Sequence, residues 1–295
     1  VALDCQGSGV LFSVAGLRTK LGLTNVNIKA TAVALDAGLA ANDATPYPHA
    51  AIVALDGAEL VLSNVRFDNC SSLAATRSAA ADSAHTGYGS AVFVAGPASA
   101  RLEHVVLSGN RAYASGGAIA AVGESVRLEL IDVNAVDNSA MDGSGGAVMF
   151  AGTGLKSQLE VTRLTASANT ASLGFGGVLA IAIPATSGVG TISVTDSVFT
   201  NNAAQYGAGI GVLPAPAALA AFNAGNLKLT GMTKVGLSLT GLQCTENTAS
   251  VAGGCLFSKA SHAAIAIAGA VWRDNVAVFG GALGGVFTGY PPLPA

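Results

Sequence analysis

His104, Asp132, Arg163 and Asp196 are the residues of this 295-residue chain best suited by type and spacing to proton transfer. They recur at intervals of 28, 31 and 33 residues, the spacing of a repeat. Stacked strands would bring equivalent residues to ~4.8 Å from one another. That separation suits an acid/base pair or two carboxylates acting on a glycosidic bond. Asn64 precedes the row, and Glu129 and Glu160 form a second one. Read as an active site, His104, Asp132 and Arg163 would make the chain a carbohydrate-active enzyme. The other reading is a solvated ladder in which Asp132, Arg163 and Asp196 alternate in sign and offset like-charge stacking. The ladder is the expectation here, so no catalytic residue and no cofactor is assigned.

Other chemistry is sparse. The four cysteines are Cys5, Cys70, Cys244 and Cys255, and four allow three pairings. Cys244 and Cys255 fall in one turn region and are the candidate disulfide, against the plainer reading of two small buried hydrophobes. Cys5 and Cys70 would lie two turns of the repeat apart, too far for a bond. Asn69-Cys70-Ser71 is a candidate glycosylation acceptor. His49, His85 and His262 lack metal-ligand spacing, and no metal site is expected. The chain has no nucleophile elbow, phosphate loop or Cys-x-x-Cys motif.

The elements that must hold these residues are set by a repeat. Asn110, Asn138, Asn169, Asn202, Asn247 and Asn275 are each followed by a glycine pair and a short apolar strand: Gly116-Gly117, Gly145-Gly146, Gly176-Gly177, Ala208-Gly209, Gly253-Gly254 and Gly280-Gly281. A period of ~30 residues marks an array whose units bury their apolar faces against neighbours. Each unit reads as a glycine-pair strand, a second strand with period-two alternation (102–107, 126–133, 158–164, 191–199, 237–244 and 263–272), and a polar corner. The glycine-pair strands read as a face bare of titratable groups. The residue three before each Asn predicts a buried column: Leu107, Ala135, Ala166, Phe199, Cys244 and Trp272, extended by Phe67. The Asn residues predict a structural ladder in which side-chain amides bond one another or corner backbone. Asp68, Asp137 and Asp274 are expected in solvent. Two degenerate units precede residue 100. Long connections at 31–50, 71–89 and 213–236 read as surface loops, the last with a short helical turn at 215–222.

The predicted fold is therefore all-β: a parallel β-helix of about eight coils forming a single domain, 1–288, with 289–295 a Pro-rich exit linker. Net charge is −3, and 11% of residues are charged against 51% hydrophobic. No basic cluster points to nucleic acid or anionic lipid. No apolar run reaches the ~18–20 residues of a spanning helix, so no transmembrane segment is expected. The opening Val1-Ala2-Leu3-Asp4 starts inside a strand-like stretch, and the chain reads as part of a larger protein.

Phe199-Thr200-Asn201-Asn202 and Trp272-Arg273-Asp274-Asn275, with the Gly-Gly-Ala-Ile-like strands, resemble the FxxN and GGA[ILV] motifs of chlamydial polymorphic outer-membrane proteins. The opening Asp4-Cys5-Gln6-Gly7-Ser8-Gly9-Val10-Leu11-Phe12 looks like the start of a pectin-lyase-like right-handed parallel β-helix. The resemblance runs from Cys5 to about residue 287, with Phe often replaced by Ala or Leu. It implies a right-handed helix in an extracellular or cell-surface protein of adhesin type. The expected role is structural or adhesive: a stiff rod presenting loops to other protein chains of an assembly or filament, or to glycans. A polysaccharide lyase, hydrolase or glycan-binding module is the alternative.

Overall fold

A computed structural model describes residues 2–4, 11–29, 50–72, 87–183, 190–214, 235–260 and 263–285. Among them the chain is all-β, with every strand pairing parallel to its neighbours in four stacked sheets. Sheet 1 holds the glycine-pair strands, nine in number, from Phe12–Ala15 to Leu283–Gly285. Sheet 2 has eight strands, from Lys20–Thr24 to Ala263–Ala268. Sheet 3 has nine short strands, from Ala2–Asp4 to Val271–Arg273. Sheet 4 has seven, from Ser71–Ser72 to Val276–Phe279. From Ile52 onward each pass of the chain visits sheets 1, 2, 3 and 4 in turn and adds one strand to each, while the preceding pass, 12–29, has strands in sheets 1, 2 and 3 among the described residues. This topology is compatible with a parallel β-helix.

The single second strand expected in each unit is two strands. Ser99–Glu103 belongs to sheet 2 and Val106–Ser108 to sheet 3, and the same break recurs in every pass. The cause is a left-handed residue at each break: Asn25, Asn64, His104, Asp132, Arg163, Asp196, Gly241 and Gly269 all have φ between 48° and 64°. A second left-handed column precedes the ladder: Asn69, Gly109, Asp137, Ala168, Asn201, Glu246 and Asp274. One such residue turns the chain between strands, and Asn, Asp and Gly tolerate it best.

The glycine pair divides two tasks. The first glycine of five pairs turns the chain: Gly116, Gly145, Gly176, Gly253 and Gly280 have φ of 62–73°. The second lies against backbone of the next pass, where a Cβ on Gly146 would stand 2.1 Å from the Gly177 oxygen. In the remaining copy the turning residue is Gly207 (φ 59°), one place before the Ala208-Gly209 pair marked by the repeat. Gly209 instead makes room for Cys255, whose Sγ would sit 2.8 Å from an added Cβ.

The inward residues form one core. Ile28, Phe67, Leu107, Ala135, Ala166, Phe199 and Cys244 stack in register and are buried, with Trp272 partly so. The opposite face of sheet 1 is no bare groove. Val53, Phe93, Ala120, Met149 and Ala180 are buried there in a second apolar cluster, with Tyr88 and Phe175 packed against it. Strands buried on both faces read as continuous apolar runs, which is why the titratable group of these strands, Glu124, stands at an exposed strand end. Leu213 and Pro214 end a sheet 1 strand and Val235 and Gly236 begin a sheet 2 strand, while Ser71 and Ser72 pair in sheet 4. The long loops are narrower than expected by those residues. Most of 31–50, 71–89 and 213–236, the helical turn at 215–222, Cys5, His49, His85, His262 and 289–295 lie outside the described residues.

Candidate functional site

The corner between sheets 2 and 3 brings His104, Asp132 and Arg163 together on the surface. Arg163 donates from Nε to Asp132 Oδ1 at 2.6 Å and from its second nitrogen to Oδ2 at 2.7 Å. His104 Nε2 lies 3.6 Å from Asp132 Oδ2, and its Nδ1 lies 3.9 Å from Glu103. The three side chains are 53%, 31% and 53% exposed for His104, Asp132 and Arg163. The hydrogen bonds from Arg163 hold the Asp132 carboxyl below its ordinary range, against the opposing effect of desolvation. The Arg163 guanidinium is raised by that hydrogen bond and by the Asp132 charge, with Asp196 and Glu103 adding to it.

This geometry limits the chemistry. A general acid or base works best with a pKa near the working pH. Asp132 is shifted the other way and both its oxygens are occupied. The nearest carboxylate in its row, Asp196, is two passes away, roughly 9–10 Å by strand spacing and beyond a retaining pair. Arg163 stands between them.

The outer face of sheet 2 carries the second row. Glu129 and Glu160 are in register on adjacent strands. Arg101 holds Glu129 in an ion pair and approaches Glu103 at 3.3 Å. The hydrogen bond to Glu129 raises the Arg101 pKa. Lys20 pairs with Glu59 at 2.8 Å. Glu59, Arg101, Glu129, Arg127, Gln158 and Glu160 line a shallow depression on the sheet. No group of three His, Cys, Asp or Glu among the described residues is placed to hold a metal ion.

The six asparagines stand in one buried file. Each amide from Asn110 to Asn247 donates through Nδ2 to the Oδ1 of the next, at 2.9–3.0 Å. Each backbone N–H, beginning with that of Cys70, donates to the same oxygen at 2.9–3.1 Å. The remaining Nδ2 hydrogen goes back to a sheet 3 carbonyl of the preceding pass: Phe67, Leu107, Ala135, Ala166, Phe199 and Cys244 in turn. Every amide hydrogen of an inner rung is used, which leaves nothing for a ligand.

Cys244 and Cys255 are joined as a disulfide, Cα to Cα 6.1 Å, linking a buried sheet 3 residue to the buried residue just before the sheet 1 strand Leu256–Ser258 that follows it. Asn69 is exposed in the left-handed column, while Cys70 of the same triplet is buried. Asp68 differs from expectation: it is 8% exposed and accepts from Arg66 Nε at 2.7 and 2.8 Å. Burial beside an arginine two residues away in the same strand replaces solvent.

Two features are not legible in the repeat. Ser115 Oγ accepts from the Ser144 N–H, and Ser144 Oγ from that of Phe175, a short serine ladder before the glycines. The Phe175 and Tyr206 rings stack at 4.7 Å, with Phe257 5.0 Å from Tyr206. The signal for both is the residue before each turning glycine, Ser115, Ser144, Phe175 and Tyr206, whose alignment shifts at a bulge.

No family model, curated protein or solved structure matches this chain. No helix among the described residues is long and apolar enough to cross a membrane.

Proposed function

We propose that the chain is a non-enzymatic right-handed parallel β-helix of about eight coils, a stiff rod within a larger extracellular or cell-surface protein. Its role is structural and adhesive, presenting loops to other protein chains or to glycans. The observation that carries this reading is the commitment of its polar side chains to one another. The asparagine amides bond along the axis, and Asp132 is clasped by Arg163. The motif resemblance to chlamydial polymorphic outer-membrane proteins and the pectin-lyase-like opening support handedness and location. Asn69 is the proposed glycan acceptor, and its exposure suits that role.

The test is binding by the immobilised chain to arrays of extracellular proteins and glycans. Partner binding should fall when the loops within 31–50, 71–89 and 213–236 are shortened one at a time. Binding that survives loss of all three would remove the loops from the account. The alternative, a carbohydrate-active enzyme, draws on the meeting of His104, Asp132 and Arg163 and predicts turnover instead.

A further inference from the structure

Cations and anions on the outer face of sheet 2 pair by one rule. Lys20 and Glu59 are in register on adjacent strands and form an ion pair, and so do Arg101 and Glu129. Asp132 and Arg163, on adjacent passes at the corner, repeat the arrangement. Arg127 and Glu160 do not follow it. Arg127 has Ser99 and Gln158 in register on either side, so no anion stands opposite it. Glu160 has Glu129 on one side and Ser193 on the other, so no cation stands opposite it. Like charges placed directly opposite are unfavourable, and of these two glutamates Arg101 pairs with Glu129. Both Arg127 and Glu160 are exposed, and neither makes a side-chain hydrogen bond or ion pair among the described residues.

The two residues share one depression. Arg127, Ser99 and Gln158 line it from one outward row and Glu160 from the next, and it holds about 250 Å³. Leu60 and Leu128 beneath it are buried, so the floor between the rows is backbone. Arg127 and Glu160 are diagonal neighbours on adjacent strands, with Cα atoms ~7–8 Å apart. The volume lies under the ~300–1,000 Å³ of pockets for drug-sized ligands and suits a small molecule. A lone anion would meet Arg127 but also the carboxylates of Glu59, Glu129 and Glu160. A lone cation would leave Arg127 uncompensated. A ligand with both charges a few bonds apart, and no net charge, answers Arg127 and Glu160 together.

We propose that this depression binds a small zwitterion of the α-amino acid class. Its carboxylate accepts a bidentate pair of hydrogen bonds from Arg127, with the Ser99 hydroxyl and the Gln158 amide as further donors. Its ammonium group donates to Glu160. The site is open to solvent, where such pairs are individually weak, so binding is in the millimolar range. It weakens with added salt, which screens exposed charges. The inference does not rest on the rod reading, because the site lies on the wall of the array and uses none of the loops.

Titration of the isotope-labelled chain with glycine tests it, read from the backbone amide NMR signals of Ser99–Glu103, Arg127–Ile131 and Gln158–Thr162. Those signals should shift and saturate with glycine. Acetate and methylammonium, each offering one charge, should shift them far less at equal concentration and matched ionic strength, and glucose should leave them in place. Arg127→Gln and Glu160→Gln should each abolish saturable binding. Both variants should melt as the wild type does, since exposed substitutions change stability little. Acetate acting as strongly as glycine would reduce the site to an anion contact and overturn the proposal. So would the absence of any response to glycine, an equal response to glucose, or glycine binding that survives Glu160→Gln. Loop-dependent partner binding is a separate measurement, so the rod reading stands or falls without this one.

Discussion

At the scale of the residue, the same side chain has different weight according to whether its partners have water as a substitute. Asn138 is buried, and its oxygen accepts the Asn110 N–H and Nδ2–H while its own Nδ2 serves the Leu107 carbonyl. Asn138→Ala strands all three groups in the interior. At ~1–3 kcal/mol for each unmet buried group, a loss of about 3–5 kcal/mol is expected, read as a lowered denaturation midpoint. Asn275→Ala removes a half-exposed final rung that water can replace, and should cost about 1 kcal/mol. Equal effects from the two would sink the ladder account.

Asp132 illustrates the opposite case. Its folded pKa lies below the unfolded value, so its ion pair contributes stability above the ordinary carboxylate range near 3.9. That contribution disappears as pH falls through the depressed folded value. The stability difference between wild type and Asp132→Asn should be small at pH 7, as for exposed pairs, and vanish in acid. A difference that grows on acidification would contradict the assignment. Ala168, exposed at φ 56°, holds a left-handed turn without help from its side chain. Ala168→Gly should therefore stabilise, by about 0.5–1 kcal/mol once glycine's entropy is set against the relieved strain.

At the scale of the element, much was legible because the repeat forces equivalence. The sheet 2 alternation of Leu128, Leu130, Leu159 and Val161 with Arg127, Glu129 and Glu160 is the observed inside-outside pattern. The row of His104, Asp132 and Arg163 followed from the same spacing. What stayed hidden was the bend within each second strand. A left-handed Asp or Asn announces a turn, but His104 and Arg163 at the same place do not. Without that bend the row reads as strand chemistry, when it is also turn geometry. The second apolar cluster on sheet 1 was hidden for another reason: its cover includes Tyr88 and Phe175, turn residues five places before Phe93 and Ala180, where the repeat has no regular apolar period. The glycine pair gives a sharp test of element-level packing. Gly146→Ala drives a methyl against backbone of the next pass and should destabilise by more than ~2 kcal/mol. Gly236→Ala meets nothing within 4 Å and should be neutral or slightly stabilising. Both are read by thermal melting, and a tolerated Gly146→Ala would contradict the close approach of backbones between passes.

At the scale of the whole molecule, most ion pairs among the described residues lie on sheet 2 and its corner, while the asparagine file joins the passes from Asn110 to Asn275. In such an array each pass depends on its neighbours, so damage should spread from the altered pass to those beside it. On the proposed reading, chemistry-bearing residues in this setting maintain register, and recognition falls to the insertions between strands. The measurement that tests this most directly is a search for turnover. The chain and its Asp132→Asn variant are incubated with acidic and neutral polysaccharides, and new chain ends are quantified. The account predicts no product from either protein. Product from the wild type that is lost in Asp132→Asn would contradict it and make the corner row an active site.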